Sequence, residues 1–280
     1  MILYYINDDC FDYMKSIPQG SINVVLSDIP YGIDFNSKNV PDTDWDKFTD
    51  DDYEKFLKLF FEETYKVTDD NGILIIFCAP TKVEQILNVN DKWIFNPKYY
   101  YHYGRIKGRG SKHKLKSQRE DIIVFSKKEL NIDETNINNF YKERLQKDLP
   151  LCNVVDYIDG KRVPVYNMIG ETMYVTQPSH VSVSEKLIHS CQKPITLIVD
   201  LLYRFTKKGQ TILDPFMGSG ATGIASFLCE RNYIGIEIDK DMYKKANDWK
   251  DLILDSKSKQ SQILSQSLNL KKAFWKKILI

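Results

Sequence analysis

The feature that most constrains this chain is a strand, a glycine-rich turn and a helix start that follow one another without a gap. Residues 211–214 are a short apolar strand, the turn contains Gly218 and Gly220, and small residues from Ala221 onward favour a closely packed helix. Glycines at such a turn let the backbone approach a ligand, and the amides at the helix start point towards it. The sequence therefore predicts a strand–loop–helix ligand site in an α/β fold.

Strand-like and helix-like segments alternate on either side of this unit. Residues 22–27 and 73–79 are apolar runs typical of buried strands, whereas 50–66 and 195–205 carry apolar side chains at helical spacing. A helix over 221–230 and a strand over 233–238 follow the turn, and Lys207–Gly209 suits a helix end. This alternation predicts a mostly parallel central sheet covered by helices.

The periodicity fades between residues 129 and 188, where Pro, Asn, Asp and Tyr are frequent. We interpret this segment as an insertion that carries target recognition. The main domain is then built from two parts, residues 1–128 and 189–255, and residues 256–280 form a carboxyl-terminal tail. A chain of 280 residues is long enough for one such domain with a sizeable core.

Net charge limits the nucleic-acid surface that the chain can offer. With 39 basic and 38 acidic residues the formal charge is +1, which excludes a protein that is basic all over. Residues 104–119 nevertheless hold seven basic residues and no acid, as expected for a loop that contacts the phosphate groups along a DNA backbone. The candidate DNA-binding residues are Arg105, Lys107, Arg109, Lys112, Lys114, Lys116 and Arg119.

Other classes of protein find little support in the sequence. The five cysteines are scattered and form no metal-binding pair, and the acidic run 42–52, which includes Asp46, is typical of a solvated surface and a helix cap. We therefore predict no metal. No apolar stretch is long enough to span a bilayer, and the amino terminus does not resemble a secretory signal, so we expect a cytoplasmic protein without a membrane partner.

The glycine turn alone leaves its ligand open between a dinucleotide, S-adenosylmethionine and no ligand at all. Gly218, Gly220 and Gly223 match the spacing of the dinucleotide fingerprint. Asp214, directly before the turn, suits a ligand ammonium group better than a pyrophosphate. Glu237 follows 23 positions later at the end of the next predicted strand, where a carboxylate can accept both hydroxyls of a ribose.

A second motif follows the first buried strand. The tetrapeptide Asp28–Ile29–Pro30–Tyr31 should lie at the carboxyl edge of the sheet, where open α/β sheets bind their ligands. Together the two motifs resemble those of the amino-group DNA methyltransferases. That family has a catalytic tetrapeptide (Asp/Asn/Ser)-(Pro/Ile)-Pro-(Tyr/Phe/Trp), here 28–31, and a cofactor loop Asp-Pro-Phe-x-Gly-x-Gly, here 214–220.

The resemblance covers most of residues 1–128 and 189–245, and the order of the motifs is that of the family's β arrangement. It implies a Rossmann-like, S-adenosylmethionine-dependent methyltransferase fold with an inserted recognition region. It also implies catalytic roles for Asp28, Pro30 and Tyr31. The cofactor-binding residues that it implies are Asp9, Cys10, Asp28, Lys193, Pro194, Asp214, Phe216, Gly218, Gly220, Thr222, Glu237 and Ile238. Residues 189–194 resemble the family's His-Pro-x-Gln-Lys-Pro element, but Ser190 stands where the family has proline.

These residue types suit methylation of an exocyclic amine. The nitrogen is a poor nucleophile because its lone pair is delocalised into the ring. The Asp28 carboxylate and the carbonyl of Ile29 or Pro30 can accept its two N–H bonds and favour a tetrahedral nitrogen. Pro30 fixes the local backbone, and Tyr31 can stack on a base that has left the helix. No metal is needed for this chemistry.

The resemblance therefore predicts a site-specific DNA methyltransferase that acts on adenine N6, because the tetrapeptide begins with Asp whereas cytosine-N4 enzymes of this arrangement more often have Ser. Cytosine N4 is the alternative target. A nucleotide-binding oxidoreductase and a catalytically silent DNA-binding module are alternatives from other classes. The implied setting is a restriction-modification or phage modification system in a bacterial or phage-infected cell. DNA is the implied partner, and a cognate endonuclease and a second copy of the chain, in a homodimer, are further candidate partners.

Overall fold

A computed structural model describes residues 1–34, 46–105, 119–132, 155–158, 161–164, 172–175 and 191–258. Its strands are β1 (Leu3–Ile6), β2 (Ile22–Asp28), β3 (Thr68–Cys78), β4 (Ile94–Phe95), β5 (Tyr101–Arg105), β6 (Arg119–Ser126), β7 (Val155–Ile158), β8 (Lys161–Pro164), β9 (Thr172–Val175), β10 (Thr211–Asp214) and β11 (Asn232–Ile236). Its α-helices are α1 (Cys10–Met14), α2 (Asp50–Val67), α3 (Val83–Val89), α4 (Ile195–Phe205), α5 (Ala221–Leu228) and α6 (Lys240–Ser258).

Nine of these strands form one sheet in the order β1-β11-β10-β2-β3-β6-β5-β9, with β4 paired to β6. The neighbours from β1 to β3 are parallel, and β6 then runs antiparallel to β3, β4 and β5. β7 and β8 form a separate antiparallel pair. The predicted α/β class with a mostly parallel sheet is confirmed.

Two hydrophobic cores cover the two faces of the sheet. Successive side chains of a strand point to opposite faces, so Val24 and Leu26 of β2 enter one core while Val25 enters the other. Helices α4, α5 and α6 pack on the first face, and α1, α2 and α3 pack on the second. The fold therefore has three layers, and its central strands are apolar on both sides.

The chain connections leave β10 and β2 in opposite directions along the sheet. These two strands lie side by side and parallel, with Ile212 and Leu213 paired to Val24 and Val25. From β10 the chain continues to β11 on one side, and from β2 it continues to β3 on the other. A crevice opens at the carboxyl ends of two strands whose connections diverge in this way. The glycine turn follows β10 and the tetrapeptide begins at the end of β2, so both motifs meet at this crevice.

Several details differ from the sequence predictions. α4 ends at Phe205, and Gly209, with φ of +83°, lies in the turn before β10. Pro194 is the N-cap of α4. β11 ends at Ile236, one residue before Glu237. Within the proposed insertion, β9 pairs with β5 and so extends the main sheet. None of the helices in the described ranges is long and apolar enough to cross a membrane.

Candidate active site

The end of β2 directs two consecutive side chains to different places. Ser27 is fully buried, and its hydroxyl donates a hydrogen bond to Asp214 Oδ1 at 2.9 Å, which joins β2 to β10. The next side chain, Asp28, lies at the carboxyl edge and is 28% exposed. The alternation of a strand therefore gives Ser27 a structural contact and leaves the Asp28 carboxylate as the first polar group of the tetrapeptide that faces the crevice.

Four polar side chains meet around Asp28, and we call them the carboxylate cluster: Asp28, Tyr31, Glu120 and Lys193. The Tyr31 hydroxyl lies 2.8 Å from Asp28 Oδ1 and 2.9 Å from Glu120 Oε2. The Lys193 ammonium contacts Asp28 Oδ2 and lies 3.1 Å from Glu120 Oε2. Sequence positions 28, 31, 120 and 193 thus form a single hydrogen-bonded group.

Charge and burial oppose each other within this cluster. Burial is the largest influence on the Asp28 carboxyl and raises its pKa above the ordinary value. The Lys193 ammonium lowers that pKa, and the Glu120 carboxylate raises it again. The net direction is upward, because burial outweighs the lowering by the Lys193 ammonium and by the hydrogen bonds from Lys193 and Tyr31.

Asp46 holds the backbone that follows the tetrapeptide. Its carboxylate accepts hydrogen bonds from the amides of Tyr31 at 2.7 Å, Gly32 at 2.8 Å and Ile33 at 3.3 Å. Its exposed fraction is 0%, so the expectation that the acidic run is solvated surface is wrong at this position. A carboxylate that accepts three backbone N–H bonds fixes the local conformation, since each lost bond would leave a polar group unsatisfied.

Tyr53 supports the same turn from α2. Its hydroxyl donates to the Pro30 carbonyl at 3.0 Å, and its ring lies against Gly32. Gly32 has φ of +61°, and a Cβ there would lie 2.8 Å from the Tyr53 ring. Only glycine fits this position, for both conformational and steric reasons. Asp46 and Tyr53 therefore hold Pro30 and Tyr31 at the edge of the sheet.

The glycine turn is built as the sequence predicts. Gly218 and Gly220 both have positive φ, +53° and +80°. Gly220 is the N-cap of α5, and its carbonyl accepts a hydrogen bond from the Tyr5 hydroxyl at 3.1 Å. Glu237 Oε2 accepts the Gly218 amide at 2.8 Å, and Oε1 accepts the Asp239 amide at 2.8 Å. Glu237 thus ties the turn to the end of β11, and each of its oxygens keeps a further lone pair for a ligand hydroxyl.

Asp214 is a buried link between β2 and the glycine turn. Its side chain is 2% exposed, and its Oδ1 accepts from the Ser27 hydroxyl and from the Phe216 amide at 3.3 Å. Thr222 also hydrogen-bonds to it. Burial raises the pKa of this carboxyl to about 7, against the lowering effect of these hydrogen bonds. Its contact with a ligand ammonium group remains a prediction.

This shifted pKa predicts a pH-dependent stability. An unfolded aspartate has a pKa of about 3.9, so protonation of Asp214 favours the folded state. That contribution is complete below about pH 4 and is lost as the pH rises through about 7. Between about pH 5.5 and about pH 8, the free energy of unfolding should fall by about 2 kcal/mol more in the wild type than in Asp214→Asn. Urea denaturation of the ligand-free proteins measures this, and equal slopes would contradict the shift.

Other predicted cofactor residues surround the crevice. Asp9 is the N-cap of α1, where its Oδ1 accepts the Phe11 amide at 2.8 Å, and Cys10 is buried, which raises its pKa to about 12. Both residues therefore have structural tasks beside the cofactor roles that the resemblance implies. Phe216 packs on two aromatic rings of α2, and Ile238 is 69% exposed just beyond Glu237.

The basic loop begins and ends at this edge of the sheet. Arg105 is the last residue of β5 and Arg119 the first of β6, and the neighbouring pair Gly104–Arg119 closes the ladder. Glu120 and Asp121 follow directly, so the base of the loop adjoins the carboxylate cluster. The remaining predicted DNA-binding residues, Lys107, Arg109, Lys112, Lys114 and Lys116, lie outside the described residues.

The acceptor groups at the crevice fit a particular ligand chemistry. Carboxylates from β2, β6 and the end of β11 line it, and they suit cationic groups and ribose hydroxyls. A pyrophosphate would be repelled by the same groups. Within the described ranges no three His, Cys, Asp or Glu side chains are grouped as a metal site would require.

Comparison with known proteins identifies the family. A family model described as DNA methylase, covering the N6 and N4 enzymes, matches residues 22–248. The chain belongs to this DNA methylase family. The resemblance read from the two motifs is thereby confirmed, and so is S-adenosylmethionine as the cofactor of the family.

Individual relatives of this methylase are distant in sequence. It is 26% identical over 248 residues to Type II methyltransferase M.HinfI of Haemophilus influenzae, covering 82% of this chain and 63% of the relative. The chain thus spans less than two thirds of the length of M.HinfI. It is 28% identical over 255 residues to Type II methyltransferase M1.MboII of Moraxella bovis, covering 85% of this chain and 93% of the relative.

Two solved structures share the fold. The M1.HpyAVI complex with S-adenosylmethionine has a TM-score of 0.58 at 18% identity, covering 88% of this chain and 98% of that one. The cytosine-N4-specific PvuII DNA methyltransferase has a TM-score of 0.62 at 14% identity, covering 88% of this chain and 86% of that one.

Sequence reasoning missed three members of the site. Glu120 directly follows the basic loop but belongs to neither ligand motif, and Asp46 lies within an acidic run. Tyr53 lies in the segment 50–66, whose helical spacing accounts for the burial of its ring but not for the contact of its hydroxyl. The one available signal is that Glu120 immediately follows the basic loop.

Proposed function

We propose that this methylase transfers the methyl group of S-adenosylmethionine to the N6 amino group of adenine in DNA. The observation that carries the proposal is the placement of Asp28. Its carboxylate reaches the crevice at the first position of the tetrapeptide, whereas the buried Ser27 hydroxyl donates a hydrogen bond to Asp214. A carboxylate, and not a hydroxyl, therefore faces the target amine.

The residues of the chain would work by positioning the target amine and accepting hydrogen bonds from its two N–H groups. S-adenosylmethionine supplies an electrophilic methyl group on a sulfonium. Asp28 accepts one N–H of the target amine, which directs the nitrogen lone pair out of the base plane. Tyr31, held by Asp46 through its amide, offers its ring to the flipped base. Holding the reactants in line supplies a large part of the rate enhancement.

A backbone carbonyl would accept the second N–H of the amine. The sequence leaves this role to Ile29 or Pro30. The Pro30 carbonyl already accepts the Tyr53 hydroxyl at 3.0 Å. This contact favours the Ile29 carbonyl for the amine, because it keeps one lone pair of the Pro30 carbonyl occupied and directs that carbonyl towards α2.

The placement of the basic loop supports DNA as the substrate. Its two ends, Arg105 and Arg119, lie at the same edge of the sheet as the cluster. A loop with seven basic residues there would hold the phosphates beside the flipped base. We place the enzyme in a restriction-modification or phage modification setting, in the cytoplasm, with a cognate endonuclease and a homodimer as further partners. Its Type II methyltransferase relatives support the setting.

Nucleoside mass spectrometry tests the reaction and its target atom together. The protein is incubated with duplex or single-stranded DNA and S-adenosylmethionine that carries a labelled methyl group. We expect the label in N6-methyladenine. Label in N4-methylcytosine would keep the mechanism and replace the target base. Absence of label in both DNA forms, with the cofactor bound, would contradict the proposal.

Glu237→Ala should weaken cofactor binding. The change removes the carboxylate proposed to accept the ribose hydroxyls and also releases the Gly218 amide. Loss of charge-assisted hydrogen bonds of this kind costs about 1.5–3 kcal/mol, which is about a 10- to 150-fold increase in Kd. Isothermal titration calorimetry measures the Kd. Asp241→Ala, an exposed change in the first turn of α6, is the control. An unchanged Kd in Glu237→Ala would rule out its ribose role.

A further inference from the structure

Two tyrosines of neighbouring strands lie beneath the glycine turn. Tyr5 of β1 and Tyr233 of β11 are both buried, and their rings meet edge to face with the centroids 5.5 Å apart. The Tyr5 hydroxyl donates a hydrogen bond to the Gly220 carbonyl at 3.1 Å. The Tyr233 hydroxyl donates one to Asp214 Oδ2 at 3.5 Å. The two phenols therefore contact both ends of the turn over residues 214–220.

The contact with Gly220 fixes one peptide plane at the start of α5. The Gly220 carbonyl accepts two hydrogen bonds, one from the Tyr5 hydroxyl and one from the Ile224 amide at 3.1 Å, so both of its lone pairs are used. A peptide unit is planar and trans, so the direction of this carbonyl also sets the direction of the Ala221 N–H, which points the opposite way. That N–H belongs to the first turn of α5, where amides point out of the helix end and have no acceptor inside the helix.

Gly220 depends on this contact more than another N-cap residue would. Its φ is +80°, and it has no side chain that could accept an amide of the first turn. Glycine has the largest backbone freedom of any residue, so contacts are needed to keep it in one conformation. Its own amide donates to the Met217 carbonyl at 3.0 Å, and Tyr5 holds its carbonyl. The Tyr5 hydroxyl therefore restrains a turn that would otherwise be more flexible.

The third glycine of the pattern is explained by the same phenol. A Cβ at Gly223 would overlap the Tyr5 hydroxyl and would lie 2.8 Å from the Tyr233 ring. A Cβ at Gly220 would lie 2.9 Å from the Tyr5 ring. The spacing of Gly218, Gly220 and Gly223 also fits a dinucleotide fingerprint, but here the last two glycines let α5 pack directly on the tyrosines.

The Tyr5 ring is itself held in place, and its hydroxyl keeps its proton. The Lys250 ammonium of α6 lies over the ring, 4.9 Å from its centroid, and the Tyr233 ring packs against it. Burial, followed by the carboxylates of Asp214 and Asp251, raises the pKa of Tyr5 above its ordinary value. The phenol therefore remains a hydrogen-bond donor near neutral pH.

We propose that Tyr5 is a positioning residue for the cofactor, whose hydroxyl holds the Gly220–Ala221 peptide in the orientation that receives the amino-acid end of S-adenosylmethionine. The inference rests on the proposed function, because it takes the crevice to be the cofactor site, with the ligand ammonium at Asp214 and the ribose at Glu237. The amino-acid end then lies along the glycine turn. Tyr5 lies beneath that turn and acts on the ligand only through the backbone.

Two ligands that differ in one part test the inference. S-adenosylhomocysteine and methylthioadenosine share the adenine, the ribose and a neutral thioether, and only the first has the amino-acid end. Tyr5→Phe keeps the ring and removes the hydroxyl. We expect the Kd of S-adenosylhomocysteine to rise about 3- to 10-fold, as for the loss of one hydrogen bond, and the Kd of methylthioadenosine to change by less than about twofold. Calorimetry measures the first Kd, and competition against S-adenosylhomocysteine measures the second.

Two control variants separate positioning from stability. Tyr4→Phe removes the hydroxyl of the exposed neighbouring tyrosine of β1 and should leave both Kd values unchanged. Ile198→Val shortens a buried side chain of α4 and should lower the free energy of unfolding without changing either Kd. Urea denaturation measures the stability of all three variants. A loss of affinity that is confined to Tyr5→Phe then comes from the turn and not from the stability of the fold.

Methyl transfer to DNA provides a second measure of the same effect. In Tyr5→Phe the KM for S-adenosylmethionine should rise about 3- to 10-fold. The value of kcat at saturating cofactor should stay within about twofold of the wild type, because the tetrapeptide is unchanged. A lower kcat with an unchanged KM would contradict the inference, since a residue that positions the cofactor acts on its binding.

The binding results distinguish the inference from the proposed function. An unchanged Kd of S-adenosylhomocysteine in Tyr5→Phe would overturn the inference, as would equal weakening of both ligands, which would make Tyr5 a structural residue only. In both cases the proposed function would stand, because the wild type binds both ligands. A wild type that binds S-adenosylhomocysteine but not methylthioadenosine would overturn the ribose role of Glu237 and with it the inference. Failure of the wild type to bind either ligand would overturn the proposed function itself.

Discussion

Asp28→Ala is expected to reduce the rate of methyl transfer by about 10²- to 10⁴-fold, the range found when a positioned acid–base group is removed. The amine then loses the acceptor that directs its lone pair. The proton that the methylated nitrogen releases also loses the carboxylate that would accept it. Cofactor affinity should change little, because the glycine turn and Glu237 stay intact. Single-turnover transfer of a labelled methyl group to DNA measures the rate, and calorimetry measures the affinity.

Two further variants sharpen this result. Asp28→Asn keeps one acceptor oxygen but cannot take up a proton, so its rate should lie between those of Asp28→Ala and the wild type. Asp8→Ala changes an exposed aspartate near the end of β1 and should leave the rate unchanged. Full activity in Asp28→Ala would exclude Asp28 from the reaction, and the adenine assignment would lose its main support.

Asp46→Ala is expected to disrupt the turn over residues 31–33, although the Asp46 side chain has no proposed contact with the reacting atoms. It leaves the amides of Tyr31, Gly32 and Ile33 without their acceptor. One unsatisfied buried donor costs about 1–3 kcal/mol, and part of the turn can recover water, so we expect a loss of about 3 kcal/mol in the free energy of unfolding. Urea denaturation measures this loss.

The activity of Asp46→Ala should fall by more than its stability explains. A misplacement of the reacting groups by about 1 Å can cost about 100-fold in rate, so the folded fraction should still show a rate reduced by about that factor. Asp51→Ala, from the same acidic run but exposed on α2, is the matched control and should behave as wild type. If Asp46→Ala lost stability but kept the wild-type rate per folded molecule, Asp46 would be a structural residue only.

Asp46 also illustrates where sequence reasoning fails. It belongs to a run of aspartates that has the composition of a solvated surface, and the helix cap predicted there does exist at Thr49. Nothing local separates Asp46 from its neighbours. Its burial depends on three amides that the chain brings to it from residues 31–33, and such an encounter leaves no periodic or compositional trace.

Local sequence patterns are sufficient to predict the layers of the fold and the two ligand motifs. Apolar runs and helical spacing are local properties, so they located β2, α2, β3, α4 and β10 correctly. The motifs at 28–31 and 214–220 were visible for the same reason, since a tight turn at a strand end needs particular residues next to one another. Family membership followed from these two motifs and was confirmed by the family model.

The identity of the distant residues that complete the site depends on the tertiary structure. Strand order brings the start of β6 beside the end of β3, and so places Glu120 near Asp28 and Lys193. The contact between Ser27 and Asp214 spans 187 positions and settles which of two adjacent polar side chains faces the crevice. These contacts form because burial of two cores fixes the order of the strands, and that order is a property of the whole sheet and not of any short segment.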